Sequence, residues 1–122
     1  MQTEVNNHQL LINRAMLETA FQQIGTDKIP YFIKIYLKTN SNFITKLQKY
    51  YQSASKDKLY TFVHKFKGST ANFYCQKIDN ILLKLEENIL ADNQKQIKQY
   101  IEILNIIFSK FCQELQELAD KY

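Results

Sequence analysis

The sequence predicts an all-α fold, an antiparallel up-down four-helix bundle with a short additional helix at its N-terminal end. The first observation is composition: the 122 residues include only 2 glycines and 1 proline, whereas sheet sandwiches and barrels need many more turn residues. The second is periodicity, because apolar residues recur every three or four positions, the spacing that collects them on one side of an α-helix. The third is a hydrophobic content of 45%, which suits the core of one domain.

The single domain is expected to span residues 1–122, with residues 1–12 as a loosely ordered leader. A short first helix is predicted over residues 14–24, and Gly25 is placed to end it. Asp27 is then expected to cap a long second helix that continues to about residue 51. Proline is tolerated in the first turn of a helix, so the proline at position 30 does not oppose this prediction.

Three further helices complete the predicted bundle. Ser55 is expected to cap the third helix, which runs to about residue 73, and the fourth covers about residues 77–91. A short linker, ADN, precedes the fifth helix over about residues 93–118, and so short a connection makes neighbouring helices antiparallel. The fifth helix carries a near-heptad apolar stripe: Ile97, Ile101, Leu104, Phe108, Phe111, Leu115 and Leu118.

Charge and cysteine content restrict the functional classes. The net charge is +4, but the lysines are scattered among acidic residues and the only arginine is Arg14, so nucleic-acid binding is disfavoured. Cys75 and Cys112 form no metal-ligand spacing, and both are interpreted as small apolar packing residues. No secretion signal or membrane-spanning run is recognised, and the protein is expected to be soluble and cytoplasmic.

Gly68 stands in the middle of the third predicted helix, within the segment FVHKFKGSTANF (residues 62–73), where glycine costs about 1 kcal/mol relative to alanine. At 100° per residue from the centre of the apolar stripe, His64 falls at about 140° and Gly68 at about 180°. The histidine is therefore expected to face away from the core, beside the small residues Thr61, Gly68 and Ala71. These three small residues would leave a docking surface on which another protein could approach the ring.

Lys67 lies between the core edge and the histidine on the same helix. Its ammonium is placed to reach an anion carried by the ring, and a nearby cation disfavours the charged imidazolium form. A single exposed histidine is usually only a surface residue. The combination of His64, Lys67 and a bare Gly68 instead favours phosphoryl transfer, in which positioning and charge neutralisation do most of the chemistry.

The string HKFKGS, residues 64–69, resembles the phosphorylation motif of histidine-containing phosphotransfer (HPt) domains, His-x-(Leu/Phe)-Lys-Gly-Ser. The resemblance extends over about residues 10–118. The segment FQQIGTDKIPYFIKIYLKTNSNFITKLQKY (residues 21–50) is similar to the first long helix of the family and its entry. The segment KIDNILLKLEENILADNQKQI (residues 77–97) is similar to the part that follows the motif.

The resemblance implies a role for three residues. His64 would be the phospho-acceptor, Lys67 would stabilise the phosphoryl oxygens, and Gly68 would leave room for a receiver domain. Thr61 and Ala71 come from the helical wheel, as docking-surface residues outside the motif. The family often has glycine ten residues after the histidine, and this chain departs from that pattern with Tyr74, which puts in doubt how the helix ends and which partner it selects.

The resemblance also implies the partners and cofactors. The partners would be response-regulator receiver domains and a hybrid sensor kinase, and the chain itself would need no cofactor because the Mg²⁺ belongs to the receiver. We expect a monomeric phosphocarrier in two-component signalling, without metal or membrane, and without an ATP site because no Gly-rich phosphate loop is present.

Three alternatives stay open. The chain could be a helical adaptor that binds a receiver or another protein without phosphoryl transfer, a weak nucleic-acid binder, or a domain of a larger hybrid kinase, although its start at Met1 favours an independent protein. Among the remaining ionisable residues, His8 is interpreted as a solvated residue of the leader. Glu86 and Glu87 are expected to face solvent, although Glu86 could approach a neighbouring helix.

Overall fold

The computed structural model describes residues 10–53 and 55–122, and no β-strand occurs among them. The all-α prediction is therefore confirmed for this part of the chain. The α-helices are α1 (Arg14–Phe21), α2 (Ile29–Asn40), α3 (Phe43–Gln52), α4 (Lys56–Thr70), α5 (Gln76–Leu90) and α6 (Gln94–Lys121). Short 3₁₀ turns cover Thr26–Lys28 and Ala71–Phe73.

The predicted second helix is not continuous. Two turn residues, Ser41 and Asn42, separate α2 from α3, and Asn42 has the non-helical angles φ −113° and ψ 29°. The side chain of Asn40 donates to the Tyr36 carbonyl at 3.0 Å, and the Ser41 hydroxyl donates to the Lys38 carbonyl at 3.4 Å. Side chains that bond to nearby backbone compete with the helical ladder, which accounts for the break.

The connection between α1 and α2 also differs from the prediction. Helix α1 ends at Phe21, and the Gly25 N–H donates to the Phe21 carbonyl at 2.7 Å. Gly25 has φ +104°, and a Cβ there would lie 2.5 Å from Asp27 Oδ1, so the turn requires glycine. The expected capping by Asp27 is wrong, because this residue lies in a 3₁₀ turn that runs into α2, and Lys28 before α2 already has helical angles.

The other helix ends are close to their predicted positions. Ser55 caps α4, since its hydroxyl accepts from the Lys58 N–H at 3.4 Å. Asn93 caps α6 in the same manner, with its side-chain oxygen accepting from the Gln96 N–H at 3.4 Å. These caps supply partners for backbone N–H groups that the first turn of a helix leaves free.

The core lies where α6 packs against α2, α3 and α5, and α4 packs against α3 and α5. All seven residues of the predicted α6 stripe are buried. Tyr36 and Thr70 bring a polar pair into this core, with their hydroxyls 2.8 Å apart. The largest fully buried side chains are Phe43, Phe111, Leu17, Ile29, Ile33, Leu47, Ile78, Leu82, Leu85, Ile89, Ile97 and Leu104.

The chain before α1 is attached to α6 through Glu114. This carboxylate is only 4% exposed and accepts from the backbone N–H groups of Leu11, at 2.9 Å, and Ile12, at 3.2 Å. Ile12 is itself buried, so the expectation of a loosely ordered leader is wrong for these two residues. His8 lies outside the described residues. None of the described helices combines the length and apolar character needed to cross a membrane.

Candidate functional site

Helix α4 presents His64 to solvent, as the helical wheel predicts. Its side chain is 61% exposed, while Leu59, Val63 and Phe66 on the opposite side are buried in the core. The periodicity of α4 explains this placement, because residues one and two turns apart share a face. Thr61, Gly68 and Ala71 are exposed with the histidine, so the predicted docking residues do lie on one open surface.

Gly68 has no packing role within the described chain. A Cβ built on it meets no heavy atom within 4 Å, apart from its own helix backbone and chain neighbours. Glycine in a helix interior is unfavourable by about 1 kcal/mol relative to alanine. The bare backbone one turn after His64 is therefore not required for folding, and it leaves the surface beside the ring open.

The structure brings a third side chain, Glu86 of α5, to this histidine and lysine. Glu86 Oε2 lies 2.6 Å from His64 Nδ1, and Glu86 Oε1 lies 2.5 Å from Lys67 Nζ. We refer to His64, Lys67 and Glu86 as the His64 cluster. The expectation that Glu86 faces solvent is wrong: it is 4% exposed, because α5 packs directly against α4.

Glu87, the next residue on α5, is exposed where Glu86 is buried. Its side chain is 55% exposed and makes a looser ion pair with Lys84, at 3.5 Å. The expectation of a solvent-facing carboxylate is confirmed for this residue. Neighbouring positions on a helix point about 100° apart, so only one of the two carboxylates can reach α4.

Glu86 is held as a carboxylate. Burial alone would raise the pKa of the Glu86 carboxyl, but the hydrogen bonds and charges of Lys67 and His64 outweigh burial and lower it. Hydrogen bonds to the charged form stabilise that form. Glu86 is therefore ionised at neutral pH and can only accept hydrogen bonds.

An ionised Glu86 determines which nitrogen of the ring carries the proton. Because the carboxylate only accepts, His64 donates from Nδ1, and the neutral ring then has its lone pair on Nε2. The Tyr60 ring stacks on the imidazole, with centroids 5.8 Å apart and planes at 11°. The ring is thus oriented from two sides while remaining exposed, an arrangement suited to a nucleophile.

The cluster changes the expected electrostatics of the histidine. The sequence places Lys67 near the ring, where its ammonium is expected to disfavour the charged imidazolium form. In the structure the ammonium of Lys67 is paired with Glu86, which also contacts the ring. The ammonium disfavours a charged ring and the carboxylate favours one, so the structure adds an opposing charge that the sequence-based expectation did not include.

An apolar groove adjoins α4 on the flank opposite α5. It has a volume of about 520 Å³ and lies between α1, α2 and the end of α4. Ser69 of α4 and Asn72 of the following 3₁₀ turn form one edge of the groove, directly beside the predicted docking residues in sequence. Large apolar side chains are exposed there, with Ile24, Phe32 and Ile35 each at least 40% exposed.

Tyr74 occupies the position where the HPt pattern often has glycine. It has φ 55° and ψ 48°, the left-handed conformation, which glycine adopts at least cost. Its N–H donates to the Ala71 carbonyl at 3.3 Å, and its carbonyl accepts from the Asn13 N–H at 2.9 Å. Tyr74 therefore makes a left-handed turn after the 3₁₀ segment that follows α4, and its side chain lines the groove.

The two cysteines do not extend the site. Cys75 is buried and Cys112 is partly buried. Burial raises the pKa of both thiols, to about 11 for Cys112. A protonated thiol is a poor nucleophile, which agrees with their interpretation as packing residues. Within residues 10–53 and 55–122, no group of three or more His, Cys, Asp or Glu side chains could hold a metal ion.

Sequence reasoning did not assign Glu86 to the site, although it allowed that Glu86 could approach a neighbouring helix. A signal for it exists in the α5 periodicity: with Ile78 as the centre of the apolar stripe, Glu86 falls at about 80°, at the edge of the buried face. A carboxylate at such an edge needs a cationic partner. The sequence alone does not show which helix would supply that partner.

Comparisons with family models, curated proteins and solved structures find no match for this chain. Function is therefore inferred from the HKFKGS motif and from the geometry of the His64 cluster.

Proposed function

We propose that this protein is a histidine phosphotransfer protein of the HPt type, which carries a phosphoryl group on His64 between receiver-domain aspartates in a multistep phosphorelay. One observation carries the proposal: an exposed imidazole is oriented through Nδ1 by a buried carboxylate, with an ammonium and a bare helix backbone beside it. A surface histidine without a function has no need of a buried charged partner, since burying a carboxylate is costly.

The proposed reaction starts from an aspartyl phosphate on the receiver. The Nε2 lone pair attacks phosphorus, the bond between phosphorus and the aspartate oxygen breaks, and the aspartate leaves as a carboxylate. The proton on Nδ1 stays in place. Lys67 lies one turn from His64 and can neutralise charge on the phosphoryl oxygens, while the receiver supplies Mg²⁺.

The helices are proposed to form the antiparallel up-down arrangement expected from the sequence. In that arrangement α2 and α3 together make one long bundle element, α4, α5 and α6 make the other three, and α1 is the short additional helix. The exposed face of α4 then lies between α5, which carries Glu86, and the apolar groove. A receiver domain would contact Thr61, Gly68 and Ala71 and could bury apolar side chains of the groove.

The proposed relay has defined partners, a cellular location and a source of the phosphoryl group. Receiver domains and a hybrid sensor kinase are the proposed partners, in the cytoplasm, and the protein acts as a monomeric carrier that draws its phosphoryl group from a partner rather than from ATP. The chain would contribute the phospho-accepting histidine, and the metal ion would belong to the receiver.

Transfer of label from a phosphorylated receiver domain tests the proposal. The protein is incubated with a receiver carrying ³²P, and acid-labile, base-stable label is followed on this chain. We expect labelling of the wild type and of His8→Gln, which removes the only other histidine, and none of His64→Gln. Retention of the label by His64→Gln would overturn the proposal.

A second candidate function is an adaptor that docks a partner without phosphoryl transfer. The exposed apolar groove beside α4 favours it, because such surfaces commonly mark protein contacts. An adaptor requires that His64→Gln leave both partner binding and pathway output unchanged. The relay requires that the same variant bind its partner and lose output.

A further inference from the structure

We infer that four lysines of α3 and α4 form a basic face that steers an acidic receiver domain onto His64. The basic face consists of Lys46, Lys49, Lys58 and Lys65. This inference rests on the proposed function of His64. It names the chemistry of the partner, a receiver with aspartate and glutamate side chains on the surface around its aspartyl phosphate, and it concerns the rate of encounter rather than the chemical step.

The positive charge of the chain is concentrated in one part of the fold. Residues 28–56, which include all of α2 and α3, hold six lysines and no aspartate or glutamate. Residues 79–121, which include most of α5 and all of α6, hold five lysines and eight acidic residues. The expectation that the lysines are scattered among acidic residues is therefore wrong for α2 and α3, and the moderate net charge of +4 conceals a strongly basic region.

On α4 the lysines of the basic face share a line with the predicted docking residues. Lys58, Thr61, Lys65 and Gly68 follow one another at spacings of three, four and three residues, which places them along one side of a helix. All four are exposed. A partner that contacts Thr61 and Gly68 beside the histidine therefore also meets both lysines.

Helix α3 brings two further lysines to this surface. The Phe62 ring, which lies between the two α4 lysines in sequence, packs against Tyr50 of α3 with ring centroids 4.8 Å apart. Lys46 lies one helical turn before Tyr50, and Lys49 lies one turn after Lys46, so the two share a side of α3. Both are exposed. The aromatic contact thus joins the lysines of the two helices into one face.

The basic face is not neutralised within the described part of the chain. The ion pairs there use other cationic side chains, those of Lys56, His64, Lys67 and Lys84. Asp57 is the only acidic residue of α3 and α4. An excess of like charge repels itself and opposes the compact state, so its concentration on two neighbouring helices points to an anionic partner outside the chain.

The form of the basic face favours an acidic protein over nucleic acid or lipid. Its charges are lysines, which lack the bidentate geometry with which arginine recognises phosphates and base edges. None of the large apolar side chains of α3 and α4 is exposed, so the face offers nothing to insert into a bilayer. A receiver in contact with His64 would cover part of the face, because Lys65 is the next residue along α4.

The expected effect of the basic face is on association. Complementary charges raise the rate at which two proteins meet, and they act over a distance of about 10 Å at 0.1 M salt. Close contacts around the ring instead govern the lifetime of the complex. The basic face should therefore raise the second-order rate constant of phosphoryl transfer at low salt, with a much smaller effect on the rate at saturating receiver.

Transfer kinetics at several salt concentrations test the inference. A panel of receiver domains labelled with ³²P is mixed with the protein, and the dependence of the rate on receiver concentration separates the second-order rate constant from the rate at saturation. Circular dichroism verifies that each variant is helical. Each variant reverses the charge of two exposed lysines: K46E/K49E on α3, K58E/K65E on α4 and, as the matched control on α5 and α6, K84E/K95E.

We expect each variant of the basic face to lower the second-order rate constant about tenfold at about 20 mM salt. The control, which changes the net charge equally, should lower it much less. The differences should disappear near 1 M salt, where charges are screened beyond about 3 Å. A loss of folding would instead reduce transfer at every salt concentration.

The outcomes separate the inference from the proposed function. If no receiver of the panel labels His64 in the wild type, both are overturned. If transfer occurs at equal rates in the wild type and in the variants of the basic face, or if the control loses as much as they do, the inference is overturned and the relay stands.

Two further probes test the other anionic partners. A short DNA duplex and vesicles that contain phosphatidylserine are mixed with the same proteins. Binding that the variants of the basic face lose, combined with unchanged transfer from the receiver, would assign the face to nucleic acid or lipid and overturn the inference. If a charge-reversed variant does not fold, K46Q/K49Q and K58Q/K65Q replace it. These should slow association at low salt by a smaller factor, and unchanged association would overturn the inference.

Discussion

Two buried glutamates, Glu86 and Glu114, are equally enclosed, each 4% exposed, yet their partners differ in kind. Glu86 bonds to two ionisable side chains, His64 and Lys67. Glu114 bonds to the backbone N–H groups of Leu11 and Ile12. The contrast indicates that burial of a carboxylate does not by itself mark a functional site. The chemistry of its partners decides whether it supports a fold or a reaction.

The largest effect on stability is expected at Glu114. Replacing it by alanine removes the acceptor of buried backbone N–H groups, and leaving such groups unpaired costs about 3 kcal/mol in total. Glu86→Ala should cost only about 1 kcal/mol, since His64 is largely exposed and Lys67 can turn towards water. Urea unfolding measures both values, and a larger loss for Glu86→Ala would show that the His64 cluster is chiefly structural.

The next largest effect is expected on phosphoryl transfer when Lys67 is replaced. Lys67→Ala should reduce phosphoryl transfer to His64 at least tenfold, because the ammonium no longer neutralises the phosphoryl oxygens. Lys95→Ala, which removes an exposed lysine of α6, is the matched control and should transfer at close to the wild-type rate. Equal losses for the two variants would mean that general positive charge, rather than the cluster, governs the reaction.

Replacing Gly68 or Gly25 by alanine is expected to change the stability of the protein in opposite directions. Gly68→Ala should stabilise the protein by about 0.5–1 kcal/mol, because its Cβ meets open space and alanine favours helix, while transfer from a receiver weakens. Gly25→Ala should destabilise it by about 1–2 kcal/mol, since Gly25 has φ +104°. Thermal unfolding measures the changes in stability, and titration with a receiver measures the change in transfer. Unchanged transfer in Gly68→Ala would show that Gly68 is not part of the docking surface.

The smallest expected effect is the dependence of stability on pH in the acidic range. The folded-state pKa of Glu86 lies below its ordinary value, so its ionised form adds stability above about pH 4.3 that is lost as the pH falls through the folded pKa. The stability difference between the wild type and Glu86→Gln should therefore shrink between about pH 6 and 3. A constant difference for Glu86→Gln would contradict the assigned ionisation.

The local features of the fold were predictable because they depend on residues close in sequence. The α6 stripe, the Ser55 cap and the outward position of His64 all follow from helical periodicity and capping chemistry within a few residues. The sequence shows a polar gap at Thr39 and Asn40, but a polar gap does not by itself predict a break, because apolar spacing resumes after it at Phe43. The turn instead depends on Asn40 and Ser41 side chains bonding to the preceding carbonyls.

The helical character of the chain and the exposed face that His64 shares with Gly68 both follow from the sequence, since 3.6 residues per turn leave no other placement once the apolar stripe is buried. The partners of the buried carboxylates depend instead on how the helices pack. Glu86 is 22 residues from His64, and Glu114 is 103 residues from Leu11. Such contacts depend on which helices pack together and in which register, and periodicity within one helix carries no information about that.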